Sequence, residues 1–184
     1  MIPEPCVATI GFFDGVHMGH RYLIQQVKEI AAAKGLRSAL VTFPVHPRKV
    51  MNAAYHPELL TTPEEKTNLL AGTGVDYCLM LDFTPDISRL TAKEFMTQIL
   101  KERFQVKYLV IGYDHRFGHN RSEGFDDYVR YGQAIGIEVI RAQAYTDDIQ
   151  IDTIQSAPVS SSLIRKLLHQ GDVDVAARCL GYER

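Results

Sequence analysis

The fold is decided by one stretch near the start of the chain, Val7-Ala8-Thr9-Ile10-Gly11-Phe12-Phe13-Asp14-Gly15-Val16-His17-Met18-Gly19-His20. Its first half, residues 7–13, is an apolar run of strand length that ends in a glycine-rich turn. Beyond the turn, apolar residues recur at helical spacing until Lys34 and Gly35. The stretch therefore predicts a strand, a tight turn and a helix.

The rest of the chain repeats this alternation. Further strands are predicted at residues 38–43, 77–83, 108–111 and 138–140, with helices between them. Such alternation predicts an α/β fold: a Rossmann-like, doubly wound parallel sheet of about five strands with helices on both faces. Ligands of these sheets bind at the carboxyl ends of the strands. We therefore expect the segments after strands one, two and four to meet on one rim.

Capping residues predict where several helices begin. Thr62 and Thr91 each stand three residues before a glutamate, which is the capping-box pattern. The serine run at residues 160–162 and Asp172 are expected to cap the last two helices, the second of which ends at Gly181.

Two segments lack such periodicity. Residues 44–57 are rich in proline and histidine and predict a long loop. Residues 147–155 are polar and predict an extended, solvated edge or flap.

Composition excludes some classes of function but does not indicate a particular one. The chain has 184 residues, 46% of them apolar, which suits one folded domain. With a net charge of -2, the chain has no overall positive potential that would attract nucleic acid or an anionic membrane. Three cysteines without metal-site spacing, Cys6, Cys78 and Cys179, indicate reduced thiols. Together with the lack of a leader or membrane-spanning pattern, this predicts a cytoplasmic protein without nucleic-acid or membrane partners.

The glycine-rich turn carries the strongest chemical signal. Its glycines are spaced four apart and no Walker lysine follows, so the turn matches neither a dinucleotide fingerprint nor a P-loop. His17 and His20 stand three residues apart at a helix start, where both rings can face one phosphate chain, and Gly19 leaves room for an anion. A structural alternative is that the two histidines merely cap the helix. Zinc would need a third ligand, and the sequence offers no compact partner.

Four motifs together resemble a known family. Residues 11–20 resemble the HxGH signature of the nucleotidylyltransferase superfamily, in the extended form of bacterial FAD synthetases. Residues 159–165 resemble its serine-rich second motif, and residues 42–48 and 112–118 resemble its flavin-side motifs. The chain departs from the family at Val45, where a proline is usual. The chain is identified as similar to the adenylyltransferase module of the bifunctional riboflavin kinase/FAD synthetase family.

The resemblance implies an activity and a set of site residues. The activity is transfer of AMP from ATP to FMN, giving FAD and pyrophosphate, with His17, His20 and Arg165 as the catalytic residues. ATP binding is carried over to Gly11, Phe12, Phe13, Asp14, Gly15, His17, His20, Ser160, Ser161, Ser162 and Arg165. Flavin binding is carried over to Phe43, His46, Pro47, Arg48, Phe117 and Arg121. Mg²⁺ is expected to bind mainly through the phosphates, with Asn120 as the candidate protein ligand.

The chemistry suggests a role for each charged group. A histidine near its ordinary pKa of about 6.5 could become cationic beside phosphates and still donate when neutral. Arg165 would hold the β- and γ-phosphates through paired contacts. Asp14 is expected to hold the glycine turn by hydrogen bonds rather than to act as a base.

The remaining expectations concern the extent of the domain and the alternative functions. Residues 1–184 are predicted to be one FMN adenylyltransferase domain, with the riboflavin kinase domain absent from this chain. The resemblance implies a kinase module in a longer native chain, and a module that stands alone is the alternative. Another HxGH transferase, cytidylyl or pantetheine-phosphate adenylyl, is an alternative. A flavin-nucleotide binding module without turnover is a second one.

Overall fold

The computed structural model describes residues 4–52, 54, 58–112, 115, 117–145, 149–150 and 156–183. Five parallel strands form one sheet in the order β3-β2-β1-β4-β5. Their bounds are β1 Cys6–Ile10, β2 Arg37–Thr42, β3 Tyr77–Met80, β4 Val106–Ile111 and β5 Glu138–Arg141. The predicted doubly wound parallel sheet is confirmed. The order reverses between β1 and β4, so the carboxyl ends of β1, β2 and β4 surround the crevice where such folds bind ligands.

Eight helices lie in the described part of the chain. They are α1 Met18–Lys34, α2 Pro47–Met51, α3 Pro63–Ala71, α4 Pro85–Ser88, α5 Ala92–Phe95 with its π-helical continuation Met96–Arg103, α6 Phe125–Ile135, α7 Ser161–His169 and α8 Val173–Leu180. Two short 3₁₀ turns cover Asp14–Val16 and His119–Arg121.

The helix starts follow the capping predictions with one exception. Thr62 and Thr91 each form the expected capping box, with Glu65 and Glu94 respectively. The Ser160 hydroxyl accepts a hydrogen bond from the Leu163 amide at the start of α7. Asp172 precedes α8 but makes no side-chain capping hydrogen bond, so that expectation was wrong. The α8 helix is held instead by packing, with Ala176, Cys179 and Leu180 buried.

Two segments are more ordered than their composition predicted. The long loop expected at residues 44–57 contains α2, because Pro47 stands at a helix start and the His46 imidazole accepts a hydrogen bond from the Arg48 amide. The polar stretch after residue 147 includes Ile149–Gln150, which pairs antiparallel with Ser156–Ala157. Residues 147, 148 and 151–155 lie outside the described residues.

The core lies on both faces of the sheet, as the doubly wound fold requires. Strand β1 shows this by alternation, because Ala8 and Ile10 join a cluster with Phe95 of α5, while Val7 joins Val27 of α1 on the opposite face. Cys6, Cys78 and Cys179 are free thiols. No helix in the described ranges is long and apolar enough to cross a membrane.

Candidate active site

A cleft of about 780 Å³ opens at the carboxyl ends of the central strands. We call it the histidine cleft. The segments after β1, β2 and β4 all reach it, as expected, and the start of α7 joins them. Of the predicted site residues, its walls include Gly11, Phe12, Phe13, Asp14, His17, His20, Phe43, His46, Pro47, Arg121, Ser160, Ser161 and Arg165.

The two histidines form a reciprocal pair at the start of α1. The His17 amide donates to Nδ1 of His20 at 3.3 Å, and the His20 amide donates to Nδ1 of His17 at 3.2 Å. Their rings stack with centroids 3.6 Å apart and planes 13° apart. The structural alternative of helix capping is therefore present in the molecule, and the same contacts hold both rings against the cleft.

This arrangement sets the protonation of both rings. Because each Nδ1 accepts a backbone N–H, the proton of each neutral imidazole is on Nε2. Burial lowers the pKa of His17 to about 4. Burial, together with His17 and Lys66, lowers the pKa of His20 well below its ordinary value. The expectation of histidines near pKa 6.5 was therefore wrong, and both rings are neutral Nε2–H donors at pH 7.

Gly19 lies directly beside the His17 ring and lines the histidine cleft. A Cβ at this position would lie 3.0 Å from Cε1 and 3.1 Å from Nδ1 of His17. These separations are tighter than most Cβ contacts, so a larger residue would require the His17 ring to shift by a few tenths of an ångström. The imidazole therefore takes up part of the room that the sequence suggested for an anion.

The turn before the histidines is strained and tightly held. Phe13 and Val16 have φ values of 58° and 42°, which are costly for non-glycine residues and especially for a β-branched valine. The Asp14 carboxylate, only 5% exposed, accepts hydrogen bonds from the amides of Leu60 and Thr61. Asp14 therefore fastens the turn to the segment before α3, and its predicted role as a hydrogen-bonding anchor agrees with this geometry.

Arg165 is held by the same carboxylate. Its Nη2 donates to Oδ2 of Asp14 at 2.6 Å, and its Nε donates to the Glu58 carbonyl. These contacts place the guanidinium in the wall of the histidine cleft. Since a guanidinium has five N–H donors, the two contacts leave others for a ligand.

Ser160 and Ser161 line the histidine cleft, whereas Ser162 and Gly15 do not. Ser160 caps α7 and lines the cleft, and the Ser161 hydroxyl donates to the Asp14 carbonyl at 2.9 Å. Ser162 is exposed and lies outside the cleft wall. Gly15 is buried behind the turn, where its amide donates to the Thr61 hydroxyl.

A second cavity of about 350 Å³ adjoins the first. We call it the aromatic cavity, because Phe43, Phe83, Phe95 and Phe117 line it. Phe117 is fixed there by stacking on Tyr128, with ring centroids 4.3 Å apart, and by its amide donating to the Tyr128 hydroxyl. Arg48 and Arg121 stand in the cavity wall.

The predicted flavin residues fall into three groups. Arg48 and Phe117 line the aromatic cavity alone, whereas Phe43, Pro47 and Arg121 line both spaces. His46 lies in the histidine cleft, with its ring 4.8 Å from that of Phe12. Val45 is 45% exposed and lines neither space. The Asn120 side chain lies outside the described part of the structure.

Sequence reasoning missed Lys66 on α3. Its side chain is only 2% exposed, and its ammonium donates to the carbonyls of Phe12 at 3.0 Å and Phe43 at 2.8 Å. The ammonium also lies 3.8 Å from the centroid of the Phe12 ring. Lys66 therefore joins the loop after β1 to the loop after β2. Lys66 stands four residues before the apolar Leu70 and therefore shares its helix face, and this spacing is the sequence signal that could have identified it.

Other side chains of the site were also missed. His115, Phe83 and Phe95 line the aromatic cavity, and His115 lines the histidine cleft as well. The loop after β5, residues 142–145, closes one side of the histidine cleft. Within the described ranges, no group of three or more His, Cys, Asp or Glu side chains is placed to hold a metal ion.

Comparison with known proteins agrees with this architecture. A solved structure described as a macrolide-efflux protein from Streptococcus pneumoniae superposes with a TM-score of 0.81 at 28% identity, covering 100% of this chain and 66% of that one.

Curated relatives are named bifunctional riboflavin kinase/FMN adenylyltransferase. The one from Listeria monocytogenes is 34% identical over 96% of this chain and 54% of its own length. The one from Escherichia coli K12 is 32% identical over 97% of this chain and 55% of its own length. The one from Pseudomonas fluorescens is 35% identical over 96% of this chain and 54% of its own length. The chain thus spans about half the length of these relatives. Since the family model described as FAD synthetase matches residues 1–158, the chain belongs to the FAD synthetase family.

Proposed function

We propose that this chain transfers AMP from ATP to FMN, giving FAD and pyrophosphate. One observation carries the proposal: a cleft lined by His17, His20 and Arg165 shares wall residues with an adjoining aromatic cavity. The imidazole and guanidinium groups of the cleft suit a triphosphate, and the aromatic cavity suits a flat apolar ring system. The family and the names of the curated relatives support the same pairing of substrates.

The reaction needs placement and charge stabilisation more than a protein base. A phosphate monoester is largely dianionic near neutral pH, because its second ionisation has a pKa of about 6. An oxygen of the FMN phosphate attacks the α-phosphorus of ATP, and the bond from that phosphorus to the bridging oxygen of pyrophosphate breaks. The nucleophile carries no proton, so none has to be removed.

The histidine pair would stabilise the charge that develops on the α-phosphate. The Nε2–H groups of His17 and His20 are fixed in direction by their own helix-capping contacts, so they need no reorganisation during the reaction.

Arg165 and the start of α7 would hold the leaving pyrophosphate. The helix start provides backbone N–H groups beside Ser160 and Ser161, and a helix N-terminus attracts anions. Arg165 adds a full positive charge in the same wall. Its ion pair with Asp14 fixes the guanidinium in place before ATP arrives.

Mg²⁺ would enter as a phosphate-bound ion. It keeps several waters and is commonly held by one or two protein groups together with substrate phosphates. When bound, it would neutralise charge on the phosphates of ATP.

A riboflavin kinase module would supply FMN in the native protein. The curated relatives are named for both activities and are almost twice as long as the matched region. We propose that residues 1–184 form the adenylyltransferase unit of such a bifunctional protein.

Pyrophosphate release tests the proposal. The chain is incubated with ATP or CTP and with FMN, riboflavin, phosphopantetheine or no acceptor. We expect release with ATP and FMN, with FAD formed in equal amount. Release with CTP or phosphopantetheine would support another transferase of the superfamily. Tight FMN binding without release under any combination would support a binding module without turnover.

A further inference from the structure

The two spaces of the site share a short wall. Five described residues line both the histidine cleft and the aromatic cavity: Ile10, Phe43, Pro47, His115 and Arg121. Only His115 and Arg121 among them carry polar side chains. This wall is therefore apolar except for two nitrogen-bearing groups.

His115 lines that wall and carries an unpartnered ring nitrogen. The nitrogen is Nε2, which is buried and has no hydrogen-bond partner among the described residues. The ring lies 6.3 Å from that of Phe117, which is itself fixed by Tyr128. A buried polar atom left without a partner costs free energy, and in native proteins such atoms are rare. Because His115 lines both spaces, a ligand bound there is the nearest source of the missing partner.

The proposed function decides which ligand atom reaches this wall, and the inference rests on that function. The ATP phosphates are assigned to the histidine cleft, and the ring system of FMN is assigned to the aromatic cavity. The reacting phosphate of FMN must approach the α-phosphate of ATP while still attached to its ring system. It therefore has to lie where the two spaces meet, beside His115 and Arg121.

We propose that Nε2 of His115 donates a hydrogen bond to the FMN phosphate and so makes the site select FMN over riboflavin. Arg121 supplies the positive charge, and His115 supplies a directed donor on the same anion. Burial and the nearby Arg121 lower the pKa of His115 to about 4, so its imidazole is neutral at pH 7. A neutral imidazole with its proton on Nε2 is such a donor. The contact would also orient one phosphate oxygen toward ATP.

Binding measurements with two flavins test this assignment. The dissociation constants of FMN and riboflavin are measured by quenching of flavin fluorescence, without ATP, for the wild type and for His115→Phe and His115→Gln. The phenylalanine keeps an aromatic ring beside Phe117 but removes the donor. Because a hydrogen bond to a charged group is lost, we expect FMN to bind about tenfold or more weakly to His115→Phe. Riboflavin binding should change by less than about twofold, and His115→Gln should recover most of the FMN affinity through its amide N–H.

Phe83→Leu is the matched control, because Phe83 lines the aromatic cavity and not the histidine cleft. This variant should weaken FMN and riboflavin by the same factor. Equal weakening of both flavins in His115→Phe would overturn the proposal, since it would mean that His115 serves the ring system or the packing. Unchanged FMN binding in a folded His115→Phe variant would overturn it as well.

The same measurements separate this inference from the proposed function. If the wild type binds both flavins but releases no pyrophosphate with ATP and FMN, the proposed activity fails. The phosphate contact is still decided by the ratio of the two dissociation constants. If the wild type turns over and His115→Phe leaves that ratio unchanged, only the His115 assignment fails.

Discussion

The histidine cleft and the aromatic cavity are built by different physical means. The cleft depends on polar groups that hold one another, as the reciprocal contacts of His17 and His20 and the ion pair of Asp14 with Arg165 illustrate. The cavity depends on ring packing, as the stack of Phe117 on Tyr128 illustrates. Hydrogen bonds fix direction, whereas apolar contacts are non-directional and tolerate adjustment.

This difference predicts different responses to substitution. In the cleft, loss of one polar atom leaves others without partners, so single substitutions should have large effects on stability or rate. In the cavity, neighbouring rings can adjust, so single substitutions should chiefly reduce flavin affinity. Four substitutions test the contrast, beginning with the largest expected effect.

The first prediction concerns the anchor of the cleft. Asp14→Asn should lower the free energy of unfolding by about 3 kcal/mol or more, because it leaves the largely buried Arg165 guanidinium without its carboxylate and weakens the bonds to the Leu60 and Thr61 amides. Urea denaturation at pH 7 measures the change. The control is Asp86→Asn, which breaks an exposed pair with Arg89 and should cost well under 1 kcal/mol. Equal costs for the two variants would show that Asp14 is not an anchor.

The second prediction separates capping from chemistry in the histidine pair. His20→Asn keeps a side-chain acceptor for the His17 amide but removes the Nε2–H donor. Because that donor is assigned to the α-phosphate, kcat for FAD formation should fall about a hundredfold or more. The melting temperature should stay closer to wild type than that of His20→Ala, which removes cap and donor together. Wild-type turnover in a folded His20→Asn variant would mean that the pair only caps α1.

The third prediction concerns Lys66, which joins the loop after β1 to the loop after β2. Burial lowers the pKa of its ammonium from 10.5 to about 8. Unfolding therefore takes up a proton between these pH values, so raising the pH through this window should stabilise the folded chain. Relative to Lys66→Met, the wild type should gain up to about 3 kcal/mol in free energy of unfolding. Urea denaturation of both proteins at pH 7.5 to 10.5 measures this gain, and parallel pH curves would contradict it.

The smallest effect is expected in the aromatic cavity. Phe83→Leu removes one ring that lies 5.6 Å from Phe43, which should cost about 1 kcal/mol of flavin binding. The KM for FMN should rise about fivefold, while kcat and the KM for ATP stay within about twofold. Phe125→Leu, at a position that lines neither space, should leave all three constants unchanged. A large loss of kcat in Phe83→Leu would mean that the rings of the aromatic cavity orient the reacting groups as strictly as the hydrogen bonds of the histidine cleft do.

Features that depend on near neighbours in sequence were predictable. The capping boxes at Thr62 and Thr91 lie within one turn of helix, and the contacts of His17 and His20 span three residues. The five parallel strands were also predicted, because each is a short apolar run between helical patterns. The exception is α2, which was expected to be a loop although Pro47 at its first position is a common start signal of helices; its histidine cap is not such a signal.

Features that depend on distant residues were not predictable. Lys66 meets the Phe12 carbonyl across 54 positions, and Arg165 meets Asp14 across 151. The lowered pKa of His17 has the same origin, since burial is its main cause. His46, expected beside the flavin, lies in the histidine cleft, because its ring packs against Phe12 from the loop after β1.

By itself, the sequence determined the sheet, the turn, the pairing of His17 with His20 and the family to which the chain belongs. These follow from local periodicity, capping chemistry and the order of four motifs. Only the tertiary structure decided that Asp14 anchors Arg165, that Lys66 joins two loops, and that Nε2 of His115 has no partner among the described residues. Hydrogen bonding and burial act through space, so their partners are defined once the chain has folded.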